Sequence, residues 1–75
     1  YNEYIMTGLR TMWGVSIKHL ESKFDLKFKN YFLEKVKKHI TQKNIIVNND
    51  IYLTTNSGRF LADGIAADLF LVNLN

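Results

Sequence analysis

The 75-residue sequence contains no cysteine, no proline and only four glycines. Without cysteine, the chain cannot build a disulfide, a cysteine-based zinc site or a thiolate-held iron–sulfur cluster from its own residues. This composition is typical of a reducing compartment, so we expect a cytoplasmic location. Its apolar runs are far shorter than the roughly 20 residues that cross a bilayer, which predicts no membrane span.

The length and the apolar content predict one small domain. A chain of this size buries roughly 60% of its unfolded surface, which is enough for a single core. Hydrophobic residues make up 47% of the sequence and aromatic residues 13%, which suffices to fill that core. Because the chain opens at Tyr1, we expect a single domain over residues 1–75, excised from the C-terminal region of a longer protein.

The formal charge of +3 is unevenly distributed along the chain. Residues 18–43 hold eight lysines against three carboxylates, for a net charge of +5, and the remainder carries −2. A basic segment on a slightly acidic body suits nucleic acid. Such a segment is equally typical of a solvated, lysine-rich surface, and the composition leaves both interpretations open.

The stretch 25–42 predicts a long amphipathic helix. Asp25 stands where a helix cap belongs, and no proline or glycine interrupts the segment. A shorter helix over residues 17–24, capped by Ser16, precedes it, and a β-hairpin over 45–47 and 51–53 turns at Asn48, Asn49 and Asp50. The order predicts a mainly α fold with a small β-hairpin, like a winged helix-turn-helix. The apolar stripe of the long helix is Phe28, Phe32, Leu33, Val36 and Ile40.

Two further helices are predicted at the ends of the chain. Asn2 is expected to cap a helix over residues 3–13 that stops at Gly14. Thr54 is expected to cap another over residues 55–70, whose small residues would pack closely against the Gly8 side of the first helix. The expected inner face of the first helix is Ile5, Met6, Leu9, Met12 and Trp13. That of the last helix is Phe60, Leu61, Ile65, Leu69 and Val72.

The sequence predicts no catalytic, cofactor-binding or metal-binding residue. There is no phosphate-binding loop, no nucleophile beside a base, and only two histidines, His19 and His39, without a third ligand. We therefore do not expect this chain alone to be an enzyme. Arg59 and Asp63, four residues apart, are expected to form a surface ion pair.

Interdomain or ligand contacts are the remaining candidates for function. Trp13 beside Arg10 could anchor a buried contact, or Trp13 could instead complete the core while Arg10 stays solvated. The apolar tail, residues 69–74, cannot turn every side chain inward from one helix, so it is expected to leave an apolar patch. The candidate contact residues are Arg10, Trp13, Phe70, Leu71 and Val72.

Both ends of the chain resemble one known family. The opening NEYIMTGLRTMWGVS and the closing LTTNSGRFLADGIAADLFL are similar to the C-terminal domain of oxygen-independent coproporphyrinogen III oxidase-like proteins, which are radical S-adenosylmethionine proteins. The resemblance extends over residues 2–72 in order and spacing. The run Gly8-Leu9-Arg10 is closer to the haem-chaperone branch, and Asp25 departs from the glycine usual at that turn.

The resemblance implies an accessory winged-helix domain that packs beside a catalytic barrel of the same polypeptide. In the family that barrel holds a 4Fe-4S cluster through three cysteines and binds S-adenosylmethionine, so the parent would be a coproporphyrinogen dehydrogenase or a haem chaperone. A tetrapyrrole is a further candidate partner. The alternative is a DNA-binding module of a transcriptional regulator, which the lysines favour. Glu34 and the acidic wing tip at Asp50 weigh against sequence-specific nucleic acid binding.

Overall fold

A computed structural model of the chain describes residues 1–71. The described elements are α1 (Asn2–Arg10), β1 (Val15–Ser16), α2 (Ile17–Lys23), α3 (Leu26–Thr41), β2 (Ile45–Asn48), β3 (Ile51–Thr54), α4 (Asn56–Arg59) and α5 (Ala62–Leu69). The strands form one antiparallel sheet in the order β1-β3-β2. The series from α1 to β3 is that of a winged helix, with α4 and α5 added after the wing. The predicted fold class is therefore confirmed.

The core lies where α3 meets α1, α5 and the sheet. Phe32 and Val36 face inward from α3, as their spacing predicted, and both are fully buried. The ring of Phe32 meets that of Tyr52 edge to face, with centroids 5.1 Å apart, a favourable geometry for aromatic pairs. The other fully buried large side chains are Ile5, Leu9, Val15, Leu20, Ile45 and Leu69.

The helix-turn-helix unit agrees closely with its prediction. The hydroxyl of Ser16 accepts a hydrogen bond from the backbone N–H of His19 at 3.2 Å, which caps α2. Phe24 and Asp25 alone connect α2 to α3. Asp25 occupies the N-cap position, but its side chain makes no capping hydrogen bond.

The wing is a tight hairpin to which a third strand is added. Asn48 pairs with Ile51, so Asn49 and Asp50 form a two-residue turn, and Asn49 adopts a positive φ of 58°. The third strand, β1, was not predicted, because two residues are too short to show alternation. Val15 pairs with Tyr52 on the free side of β3.

The first helix is shorter than predicted, and this overturns the prediction that Met12 and Trp13 face inward. It ends at Arg10, because the chain must turn at Gly14, where φ is +70°, to enter β1. Met12 and Trp13 therefore lie in an exposed connection. Tyr1 rather than Asn2 occupies the N-cap position.

The last predicted helix is divided in two. Thr54 ends β3, and its buried hydroxyl donates to the carbonyl of Leu9; Thr55 caps α4 instead by accepting from the N–H of Gly58. Phe60 and Leu61 connect α4 to α5 and are exposed, so their assignment to the core was wrong. Ile65 and Leu69 are buried as predicted. Val72 lies outside the described residues.

Gly8 allows the close backbone approach that its position suggested, although to a different neighbour. A Cβ at Gly8 would lie 2.7 Å from the carbonyl oxygen of Gly14 and 2.7 Å from Val15 Cγ2. The space is therefore used by the α1–β1 connection and not by the last helix. Helix α5 still packs along α1 in the antiparallel direction. The hydroxyl of Tyr1, just before α1, donates to the carbonyl of Leu69 at 2.8 Å, and Arg10, at the end of α1, pairs with Asp63 near the start of α5.

Candidate functional site

An ion pair joins the end of α1 to the start of α5. Arg10 Nη2 lies 2.7 Å from Asp63 Oδ1, and Arg10 Nε donates to the same oxygen at 2.8 Å. The expected pair between Arg59 and Asp63 is not among the ion pairs of residues 1–71, because Asp63 pairs with Arg10 instead. Both partners are more than half exposed, so the pair contributes at most about 1 kcal/mol. It does show that these two chain segments lie side by side.

Four exposed, large apolar side chains lie close to this ion pair along the chain, and we call them the α1/α5 patch: Met12, Trp13, Phe60 and Leu61. Trp13 is 74% exposed and Phe60 is 91% exposed. Each member lies within three residues of Arg10 or Asp63, a span of at most about 10 Å. The predicted contact residues Arg10 and Trp13 thus lie at the same end of α1, and their role in a contact stays a prediction. Phe60 and Leu61, which the helical periodicity had assigned to the core, lie just before Asp63.

A cleft of about 360 Å³ opens beside the patch. Phe60 and Leu61 belong to both features, so the patch and the cleft share these two side chains. The remaining walls come from the end of α3, the residues after it and the inner side of α5. The lining residues are His39, Gln42, Asn44, Phe60, Leu61, Gly64 and Ile65, among which there is no lysine and no arginine.

His39 forms one wall of this cleft and connects α3 to α5. It is only 7% exposed, and its Nε2 lies 2.9 Å from Asp68 Oδ2. The hydrogen bond from His39 holds the pKa of Asp68 below its usual value, with help from Lys38, although partial burial opposes the shift. Nδ1 of His39 is buried and has no hydrogen-bond partner among residues 1–71. Sequence reasoning missed this pair because 29 residues separate its members.

The predicted tail contacts lie at the other end of α1, about 13 Å away along the nine-residue helix. Asn2 accepts a hydrogen bond from the N–H of Leu71 at 2.8 Å, and the hydroxyl of Tyr31 donates to the carbonyl of Phe70 at 3.0 Å. Phe70 and Leu71 are half-buried. The structure thus separates them from Arg10 and Trp13, and their role in an interdomain contact stays a prediction.

The lysine-rich face of α3 is partly neutralised by carboxylates. Lys29 pairs with Glu21 at 2.7 Å, Lys37 with Glu34 at 3.1 Å and Lys38 with Asp68 at 3.1 Å. Three of the five lysines on α3 therefore already have an acidic partner. The net positive field that this helix presents is correspondingly smaller than its lysine count indicates.

The acidic residue of the wing is directed back toward the domain. Asp50 Oδ2 accepts hydrogen bonds from the hydroxyl of Ser16 at 2.8 Å and from the N–H of Lys18 at 3.2 Å. Asp50 is half-buried and stabilises the start of α2, where a carboxylate is favoured. Its charge thus has a structural function within the fold.

No group of three or more histidine and acidic side chains within residues 1–71 is arranged to hold a metal ion. The same residues include no helix that is both long and apolar enough to cross a membrane.

Comparison with known proteins identifies the domain type. The sequence matches the family described as the HemN C-terminal domain over residues 1–61, a range from α1 through α4 that includes all four members of the α1/α5 patch. No curated protein and no solved structure matches the chain significantly. Since the match covers most of its length, the chain belongs to the HemN C-terminal domain family.

Proposed function

We propose that the chain is the accessory C-terminal domain of a HemN-like radical S-adenosylmethionine protein. In this role it packs beside the catalytic barrel of the same polypeptide and takes part, in the cytoplasm, in porphyrin synthesis or haem delivery. The observation that carries the proposal is the α1/α5 patch. A 75-residue domain needs its large apolar groups inside, yet Trp13 and Phe60 are 74% and 91% exposed.

The parent's cofactors do not fit the residues of this chain. A 4Fe-4S cluster requires thiolate ligands, and the sequence has no cysteine. The cluster and the S-adenosylmethionine bound to it would accordingly be held by the barrel. This domain would contribute packing and surface shape to the parent, without supplying a ligand to its iron.

The choice between oxidase and haem chaperone rests on the run Gly8-Leu9-Arg10. Gly8 admits the α1–β1 connection and Leu9 is buried in the core, so packing alone accounts for both. Only Arg10 of the three reaches the surface, beside the α1/α5 patch. We favour the haem-chaperone branch because of the sequence resemblance of this run. The purified parent is then expected to bind haem without converting coproporphyrinogen.

Calorimetry of the full-length parent and of the 75-residue chain tests the packing. If the domain packs on the barrel, residues 1–71 unfold at a higher temperature within the parent than alone, because the interface is lost on unfolding. Hydrogen exchange measured during heating assigns the transition to this domain. Unfolding at the same temperature in both proteins would refute the proposal.

DNA binding is the second candidate, favoured by the winged-helix topology and by the lysines of α3. Lys27 and Lys35 are exposed and form no ion pair within residues 1–71. Each lies over a neighbouring aromatic ring instead, Lys27 over Phe28 and Lys35 over Tyr31. Two such lysines amount to a small fraction of the phosphate contacts that specific complexes make.

A further inference from the structure

We infer that the catalytic domain of the same polypeptide docks on the α1/α5 patch and inserts an apolar side chain into the adjoining cleft, against Gly64. This inference rests on the proposed function and specifies the surface through which the domain packs. It is carried by Gly64, by the two side chains that the patch and the cleft share, and by the charge of the cleft lining.

Gly64 has no steric role inside the domain. A Cβ added there would meet no atom within 4 Å, in contrast to Gly8 and Gly58, whose added Cβ atoms would collide with backbone. A glycine inside a helix costs about 1 kcal/mol relative to alanine, so the isolated domain would gain from a larger residue at this position. Gly64 lines the cleft, and its missing side chain leaves room there for an atom from outside the domain.

The cleft and the patch together have the anatomy of a protein interface. Trp13 and Phe60 are exposed aromatic side chains of the kind that typically anchors such contacts, and the cleft that Phe60 lines has space for one or two side chains of a partner. Gln42 and Asn44 line the same cleft, and the Arg10–Asp63 pair stands beside the patch. An apolar centre with polar groups around it is the usual arrangement in protein–protein contacts.

The charges favour a protein segment over a tetrapyrrole or a nucleic acid as occupant. Both of the latter carry anionic groups that need a cation, and the cleft lining contains no lysine or arginine. Arg10 lies outside the cleft lining and is paired with Asp63. A HemN C-terminal domain is by description part of a larger protein, and the rest of that polypeptide is present at high effective concentration.

Hydroxyl-radical footprinting with mass spectrometry compares these side chains in the 75-residue chain and in the full-length parent. We expect oxidation of Met12, Trp13 and Phe60 to fall by roughly threefold or more in the parent, as in the buried centre of an interface. Ile46 and Val47, which are exposed on β2 and lie outside the patch, should react equally in both proteins.

The outcomes separate this inference from the proposed function. Protection that falls on Ile46 and Val47 while Trp13 and Phe60 stay reactive would overturn the docking surface and leave the packing intact. Equal reactivity everywhere would overturn both. Protection that appears only after coproporphyrin is added, or that rises with the concentration of the chain alone, would replace the barrel with a tetrapyrrole or with a second copy.

A wedge variant tests the insertion into the cleft. In the parent, Gly64→Leu should restore the oxidation of Trp13 and Phe60 toward the values of the isolated chain, because the added side chain occupies the cleft. Ala67→Leu is the matched control, since Ala67 is exposed on the same helix and outside the cleft lining. Melting of both variants as isolated chains confirms that they fold. Unchanged protection in a folded Gly64→Leu parent would refute the insertion.

Discussion

Gly8 and Gly64 stand in helices for opposite reasons. Gly8 is buried at the crossing of α1 and the α1–β1 connection, where a Cβ would press against the carbonyl of Gly14 at 2.7 Å. Gly64 is exposed and has free space at the same position. The same residue type therefore serves packing in one helix and leaves a surface cleft open in the other.

Alanine at each glycine should separate the two roles. We expect Gly8→Ala to destabilise the chain by about 1–2 kcal/mol, because overpacking outweighs the gain in helix propensity. Gly64→Ala should stabilise it by about 0.5–1 kcal/mol, since only the propensity gain remains. Urea unfolding of the isolated chain measures both. A destabilised Gly64→Ala chain would reveal an internal contact that the structure does not contain.

Asp68 makes stability depend on pH in acid solution. Its pKa is lowered in the folded chain, so its contribution is present above the unfolded pKa of about 3.9 and is lost as the pH falls through the folded value. The stability difference between the wild-type chain and Asp68→Asn should therefore be largest near neutral pH and should shrink below about pH 4. Urea titrations at pH 7, 4 and 2.5 measure it. A difference that stays constant with pH would show that the charge of Asp68 is not responsible.

At the scale of elements, the local part of the fold could be predicted from the sequence. The helix around Phe32, the cap at Ser16 and the turn at Asn49 depend on residues a few positions apart, and their patterns are visible in the chain. The exposure of Trp13 could not be predicted, because α1 stops where the chain turns at Gly14 into β1, and β1 forms only by pairing of Val15 with the distant Tyr52. The periodic pattern predicted a helix that continues to Trp13, whereas in the structure a non-local strand pairing ends it earlier.

The same limitation explains the candidate site. Phe60 and Leu61 match a helical stripe, but α4 is fixed by the cap at Thr55 and by Gly58, whose position leaves no room for a Cβ beside the backbone of Asn44. The chain leaves the helical path at Leu61, where φ and ψ are −107° and 10°. Thr55 and Gly58 both contact the residues that follow α3, so the sequence of the last helix alone contained no sign of the break at Leu61. The patch consequently contains side chains that the pattern had placed inside.

The junction between the wing and α2 depends on one pair of side chains. Ser16 accepts from the N–H of His19 and donates to Asp50, so the cap and the hairpin turn stabilise each other. Ser16→Ala should cost about 1–2 kcal/mol. The double variant Ser16→Ala/Asp50→Asn should lose less stability than the sum of the two single variants. The expected coupling energy is at least about 0.5 kcal/mol.

Ser22→Ala is the control for this cycle. Ser22 lies in the same helix, is exposed and bonds only the local carbonyl of His19, so its loss should stay within about 0.5 kcal/mol. Chemical unfolding of the four cycle members and the control gives the coupling. Additive effects of Ser16→Ala and Asp50→Asn would show that the cap and the wing are independent.

Considered as a whole, the molecule is closed at one end of the α1/α5 pair and open at the other. Tyr1 donates to Leu69 and Asn2 binds Leu71, so the last described residues are held against the start of α1. Burial of the Tyr1 ring raises the pKa of its phenol, which keeps it a donor at every ordinary pH. At the opposite end Trp13 and Phe60 remain uncovered. An interaction through that open end leaves the internal hydrogen bonds of the domain unchanged.

The charge of the whole chain supports one last prediction, that DNA binding is weak and independent of sequence. Three α3 lysines are paired with carboxylates, so only a few cations, Lys27 and Lys35 among them, are available to phosphates. We expect a dissociation constant of about 10⁻⁴–10⁻⁶ M at physiological salt, the range of non-specific binding. The slope of log K against log salt should be about −2 to −3, since each phosphate contact contributes roughly −0.9. Fluorescence anisotropy with two duplexes of unrelated sequence, titrated at several salt concentrations, measures both quantities.

The variant Lys27→Gln/Lys35→Gln should flatten the slope by about 2, whereas Gly64→Leu should leave it unchanged. Submicromolar binding that distinguishes the two duplexes would instead establish the chain as a DNA-binding module.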